Sequence, residues 1–220
     1  MIGTANLLYA INVSASGGNQ PFSVGLTIFG NICIFGEVSG GHFNPAVTIG
    51  VLIAEGDMGN IPFAIMIIIA QIIGAFIGCV SAQLSSWDLV LQKKETGFHF
   101  AALGVFGKLQ AFWSEMVLTS FFISVILSAK YLNGAADLFL NALTIGLTLF
   151  TCICVGGGVS GGCFNPAVGL AQIPFQIYND PKLSWDIYWI YPIACSLGGV
   201  FAGIFLKINQ MARGQFKVVK

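Results

Sequence analysis

Charge is scarce in this chain. Only 8% of its 220 residues are acidic or basic, nine of each sign, and the formal net charge is zero. A soluble domain carries roughly 25% charged residues. The basic residues are scattered, chiefly Lys93, Lys94, Lys108 and a tail from Lys207 to Lys220, which excludes a nucleic-acid partner. Histidine is scarcer still: His42 has no second imidazole with which to make a metal site, and His99 reads as an ordinary loop residue in the polar stretch 85–108. The six cysteines (Cys33, Cys79, Cys152, Cys154, Cys163, Cys195) make no C-x-x-C pattern and lie within apolar runs. They read as small buried packing residues, and no metal or cofactor is expected. No charged segment precedes the first apolar run, so a cleaved leader is a poor reading.

What fills the space is apolar. Hydrophobic residues make up 56% of the chain, and the mean hydropathy is +0.85. A spanning helix needs about 20 apolar residues at about 1.5 Å each. Residues 61–84, 109–131, 138–155 and 185–208 qualify, and 21–38 is a fifth span after the turn Gly17-Gly18-Asn19-Gln20. Residues 2–14 form a sixth apolar run, at roughly 20 Å short of a hydrocarbon core of about 30 Å. The chain therefore reads as a multi-pass integral membrane protein, in a plasma or organelle membrane. Its nineteen phenylalanines are lipid-facing or packing residues, and Trp87, Trp113, Trp185 and Trp189 suit interfacial anchoring.

One stretch occurs twice. Residues 25–47 read GLTIFGNICIFGEVSGGHFNPAV and 146–168 read GLTLFTCICVGGGVSGGCFNPAV, identical at sixteen of twenty-three positions without a gap. Each copy ends in glycines and an Asn-Pro-Ala triplet: Asn44, Pro45, Ala46 and Asn165, Pro166, Ala167. Asparagine is a favoured helix N-cap and proline a favoured first helical residue, so each triplet starts a helix. Residues 45–54 and 166–172 are each about half a bilayer long, and read as half-helices. The glycine-rich backbone before them survives in a membrane only where it is buried in protein or lines a watery cavity.

The repeat also implies a geometry. The first, about 1–84, and the second, about 109–208, each carry three spans, with the half-helix between the second and third. An odd number of crossings makes them inverted repeats. The half-helices then dip in from opposite faces and meet near the midplane by their N-termini, where two positive dipole ends repel cations. Asn44 and Asn165 would offer amide donors to a neutral solute. The carbonyls of Gly40, Gly41, His42, Gly161, Gly162 and Cys163 would form a ladder of acceptors.

These residues carry a resemblance to the aquaporin and glycerol-facilitator family, the major intrinsic proteins. The stretch Ser39-Gly40-Gly41-His42-Phe43-Asn44-Pro45-Ala46-Val47-Thr48 resembles the family's first loop, Gln71 resembles a glutamine of its third helix, and Glu115 the glutamate of its fourth. Trp189 and Pro192 are similar to its sixth-helix pattern. The resemblance covers essentially the whole chain. It implies an all-α fold of six transmembrane helices plus two half-helices, one channel domain over 1–220, and a homotetramer with one pore per subunit and cytoplasmic termini. It implies no enzymatic activity.

The departures from the family are informative. Where the family's second triplet is usually followed by arginine, this chain has Val168, and the positions that complete the narrow outer filter fall at Val24, Ile153 and Gly162. No charge guards that filter, and the next residue is Gly169 rather than a glycerol facilitator's aspartate. An apolar constriction has two opposite consequences: it passes larger or less polar molecules, or it dewets and closes. Aligning Glu115 and Thr119 with the first repeat puts the matching glutamate immediately ahead of Met1, leaving only Gly3-Thr4 of that motif. By the resemblance such glutamates brace the loops. Glu37, where the second repeat has Gly158, is the candidate replacement brace, or it lines the inner vestibule.

The expected function is a passive channel for water or small neutral solutes. The alternative is an aquaporin-like structural subunit of a larger membrane assembly, with a degenerate pore. A coupled transporter or intramembrane enzyme would need convergent ionisable groups, for which Glu37 is the sole candidate.

Overall fold

A computed structural model of the chain describes residues 1–14, 18–85, 105–132, 137–179 and 185–214. His99, Trp87, Lys93 and Lys94 lie outside the described residues, as does the end of the basic tail. The described residues form eight α-helices: α1 (Ile2–Ser14), α2 (Gln20–Ser39), α3 (Pro45–Glu55), α4 (Ile61–Ser85), α5 (Val105–Tyr131), α6 (Leu138–Ser160), α7 (Pro166–Asn179) and α8 (Ile190–Ala212). Short 3-10 turns at Met58–Asn60 and Trp185–Ile187 precede α4 and α8.

Five of these helices, α2, α4, α5, α6 and α8, are long and apolar enough to cross a membrane. Between 22% and 50% of each is buried inside the bundle, so most of their apolar surface faces outward. On α4, Met66, Ile69, Ile73, Phe76 and Val80 are all exposed. An apolar surface of that extent has lipid as its solvent, and the chain is a multi-pass integral membrane protein. Lipid-facing placement also corrects one expectation, because Cys33 and Cys154 are exposed rather than buried. A thiol behaves as a small hydrophobe, and outward-facing positions on α2 and α6 accept it as readily as the core does.

Glycines set how closely the helices approach. At the crossing of α2 and α6, a Cβ on Gly25 would lie 2.6 Å from the Gly146 carbonyl oxygen, and a Cβ on Gly146 the same distance from that of Gly25. Gly198 of α8 meets Met116 and Thr119 of α5 in the same way. With lipid outside, backbone proximity and van der Waals packing hold such a bundle together, and small residues permit both.

The pairings repeat. Helix α1 packs on α4 as α5 packs on α8, α1 on α2 as α5 on α6, α3 on α8 as α7 on α4, while α2 meets α6 and α3 meets α7. Exchanging the first four helices for the last four maps each of these contacts onto another of them or onto itself. Four helices depart from their expected bounds: α5 starts at Val105 rather than 109, and α6 runs to Ser160 rather than ending at 155. Helix α7 runs to Asn179 rather than ending near 172, with Pro174 inside it. Helix α8 starts at Ile190 rather than 185, because Trp185–Ile187 is a separate 3-10 turn.

Candidate functional site

Each half-helix begins with the same local device. Gly40 and Gly41 have φ of 71° and 68°, and Gly161 and Gly162 of 91° and 73°. That left-handed backbone is open to glycine at little cost and turns the chain sharply back into the protein. Asn44 then adopts an extended conformation (φ −150°, ψ 121°) and its Oδ1 accepts the N–H of Ala46 at 2.9 Å. Asn165 Oδ1 accepts the N–H of Ala167 at 3.0 Å. Both asparagines therefore cap the helix that their neighbouring proline opens.

The two caps are also tied across the protein. Asn44 Nδ2 donates to the Phe164 carbonyl at 2.7 Å, and Asn165 Nδ2 donates to the Phe43 carbonyl at 3.1 Å. The N-terminal ends of α3 and α7 are thus held beside one another, 121 residues apart in sequence. A carboxamide NH2 carries two hydrogens. One is used in the cross-link, which leaves a second on each asparagine for another acceptor.

A cavity of about 320 Å³ passes these amides. Its lining extends along α2 from Gln20 to Glu37, a run of about 26 Å at the helical rise. Val24, Ile153, Gly162 and Val168 all line it, as do Gly40, Gly41, Gly161, Cys163, Asn44 and Asn165. Pro45, Ala46, Pro166 and Ala167 are buried behind the asparagines. Lys130 and Glu37 are the charged residues on the wall among those described. Lys130 Nζ lies 4.0 Å from Glu55 Oε1, which also accepts a hydrogen bond from the Tyr131 hydroxyl.

The glycine-rich loops are braced differently. In the second, the fully buried Glu115 accepts four bonds: Oε1 from Ser160 Oγ at 2.7 Å and Cys163 N at 2.9 Å, Oε2 from Phe164 N at 2.8 Å and Cys195 Sγ at 3.4 Å. Phe164 has a φ of 49°, a conformation that a bulky residue keeps only when its surroundings dictate it. Glu115 grips its N–H and Asn44 its carbonyl. In the first loop Gln71 Nε2 donates to the His42 carbonyl and, at 3.1 Å, to Thr48 Oγ1. Thr4 Oγ1, His42 Nε2 and Gln71 Oε1 are buried without a partner among the described residues.

Two site expectations change. His42 does not line the cavity: its carbonyl is taken by Gln71, so it is no free rung of the ladder. Glu37 is exposed at one end of the cavity and bonds to no described residue, which removes it as a brace and leaves it a wall residue. Sequence reasoning passed over Asn12 and Gln172, whose amides pair reciprocally at 2.9 and 2.8 Å and tie α1 to α7. It also passed over Lys130. A buried asparagine within an otherwise apolar helix was the available signal for the first.

A bundle clad in lipid-facing side chains around a lined internal passage is a membrane protein of the channel class. The chain belongs to the major intrinsic protein family, whose description, "Major intrinsic protein", matches residues 2–206. Members of that family are channels rather than enzymes. Among similar proteins, glycerol uptake facilitator protein-like 6 of Lactiplantibacillus plantarum is 35% identical over 210 residues, covering 94% of this chain and 90% of that one. Aquaporin-8 of Notomys alexis is 30% identical over 190 residues, which is 80% of this chain but 64% of that longer protein. The solved structure of the aquaglyceroporin from Plasmodium falciparum has the same fold, with a TM-score of 0.78 at 23% identity over 98% of this chain and 96% of that one.

Proposed function

We propose that this protein is a passive transmembrane channel for water and other small neutral solutes, with an apolar, arginine-less outer filter. The observation that carries the reading is the cavity that runs beside α2 past two cross-tied asparagine amides. In this reading the halves are inverted repeats within a bundle of six spans, α1 included, and α3 and α7 are half-helices entering from opposite faces. The pairwise exchange of helix contacts between halves supports it. Asn44 and Asn165 form the constriction, set by Pro45, Ala46, Pro166 and Ala167 behind them, and the helix ends they cap repel cations. Val24, Ile153, Gly162 and Val168 form the outer filter. Without a guanidinium fork there is neither a fixed charge nor a five-donor grip on the solute, so selectivity among neutral molecules is loose. The names of the relatives, an aquaporin and a glycerol uptake facilitator protein, agree with that breadth. Assembly is as a homotetramer with one conduit in each subunit.

Stopped-flow light scattering tests this. Vesicles containing the purified protein should shrink faster than bare lipid under an osmotic step, and should re-swell faster in glycerol. A shrinkage rate equal to that of bare lipid would instead support the second reading, a structural subunit of a membrane assembly. The uncharged apolar filter favours that reading, because such a constriction can dewet.

A further inference from the structure

We propose that Glu115, Cys163 and Cys195 form a binding site for one thiophilic metal cation, reached through the cavity. The three residues come from three different elements: Glu115 from α5, Cys163 from the loop before α7, and Cys195 from α8. Their ligand atoms all lie within 4.8 Å of one another, and among the described residues this is the one such group. Cys195 Sγ already sits 3.4 Å from Glu115 Oε2. A metal with bonds near 2.3 Å holds tetrahedral ligands roughly 3.8 Å apart, so closing the triad takes shifts below about 1 Å.

The chemistry favours a soft ion. Two thiolates and one carboxylate select such cations over magnesium or calcium, which prefer oxygen alone. Each thiol now makes a single donated bond, Cys195 to Glu115 and Cys163 to the Asn165 carbonyl at 3.1 Å. On binding a divalent ion, both S–H protons leave through the cavity and the sulfur lone pairs take the metal, giving a centre of net charge −1. The N–H groups of Cys163 and Phe164 and the Ser160 hydroxyl already converge on the carboxylate, and they offset that charge. Cys163 lines the cavity and supplies the route in. The equally buried Cys79 bonds only to the neutral amides of Asn12 and Gln172 and has no such company. The site does not depend on which solute the conduit passes, or on whether it conducts.

The experiment titrates Cd2+ into the purified full chain in detergent and follows the ultraviolet thiolate-to-cadmium charge-transfer band. One equivalent should bind, Cys163→Ser and Cys195→Ser should each weaken it by about tenfold or more, and Cys79→Ser should not. Absence of the band in the wild type, its persistence at wild-type affinity in either variant, or equal loss in Cys79→Ser overturns the proposal. Should the serine variants fail to fold, the wild type decides. Cd2+ should slow iodoacetamide alkylation of Cys163 while sparing the exposed Cys33, and alkylation of Cys163 at an unchanged rate overturns the site.

Discussion

Replacing Glu115 by glutamine turns a group that only accepts hydrogen bonds into one with an accepting edge and a donating edge. Four donors converge on the native carboxylate. Ser160 and Cys195 can rotate their protons away, but the backbone N–H groups of Cys163 and Phe164 cannot. Whichever way the amide is placed, one of those N–H groups faces an NH2 and is left unsatisfied at a cost of about 1–3 kcal/mol. The bonds that survive become neutral ones, each weaker by roughly 1 kcal/mol. Relief from burying one charge fewer works the other way, and the net loss comes to about 2–4 kcal/mol. For a chain of this size that is a fall in melting temperature of roughly 5–15 °C. Freed of its grip, Phe164 relaxes from its φ of 49° and draws its carbonyl off Asn44, so water flux falls with stability. Thermal unfolding in detergent followed by tryptophan fluorescence, paired with stopped-flow shrinkage, measures both. Ser160→Ala removes one donor and keeps the carboxylate, and calibrates the scale at about 1 kcal/mol. A glutamine variant with unchanged melting temperature and unchanged flux refutes the bracing argument.

Three further outcomes are expected. Val168→Arg places a cation and five donors on the wall that Ile153 and Gly162 share, and should cut glycerol uptake by about tenfold or more while slowing water less; equal uptake by variant and wild type counts against Val168 as a filter residue. Asn12→Leu strands the buried amide of Gln172 and should lower stability by about 2–4 kcal/mol, whereas Asn12→Leu with Gln172→Leu should recover most of it, as thermal unfolding would show. Gly25→Ala drives a methyl to within 2.6 Å of the Gly146 carbonyl and should cost about 1–3 kcal/mol. Because Gly146→Ala acts on the same gap, the double variant should cost less than the sum of the two, and strict additivity in melting experiments would show that the gap is not shared.

Much of the architecture was legible in order of residues because its causes are local. Apolar runs of bilayer length become helices in lipid whatever surrounds them, so the bounds of α2 and α4 are met to within a residue, as are those of the shorter apolar helices α1 and α3. The Asn-Pro pairs start α3 and α7 by capping and by a fixed φ, which need no distant partner. The far end of α7 was not legible. The expected half-helix ends near 172, yet the helix continues through Pro174 to Asn179.

The sequence by itself determined the membrane as solvent, the two-fold repetition, and a valine rather than an arginine after the second Asn-Pro-Ala triplet. Composition and pattern are enough for each, since they rest on hydration and backbone conformation summed along the chain. Tertiary structure alone decided the pairings. The Asn44 NH2 bonds to the Phe164 carbonyl, Asn12 finds Gln172 at a separation of 160 residues, and His42 turns its carbonyl to Gln71. A hydrogen bond forms between groups within about 3 Å of one another, and only the packing of helix on helix brings residues so far apart in the chain to that distance.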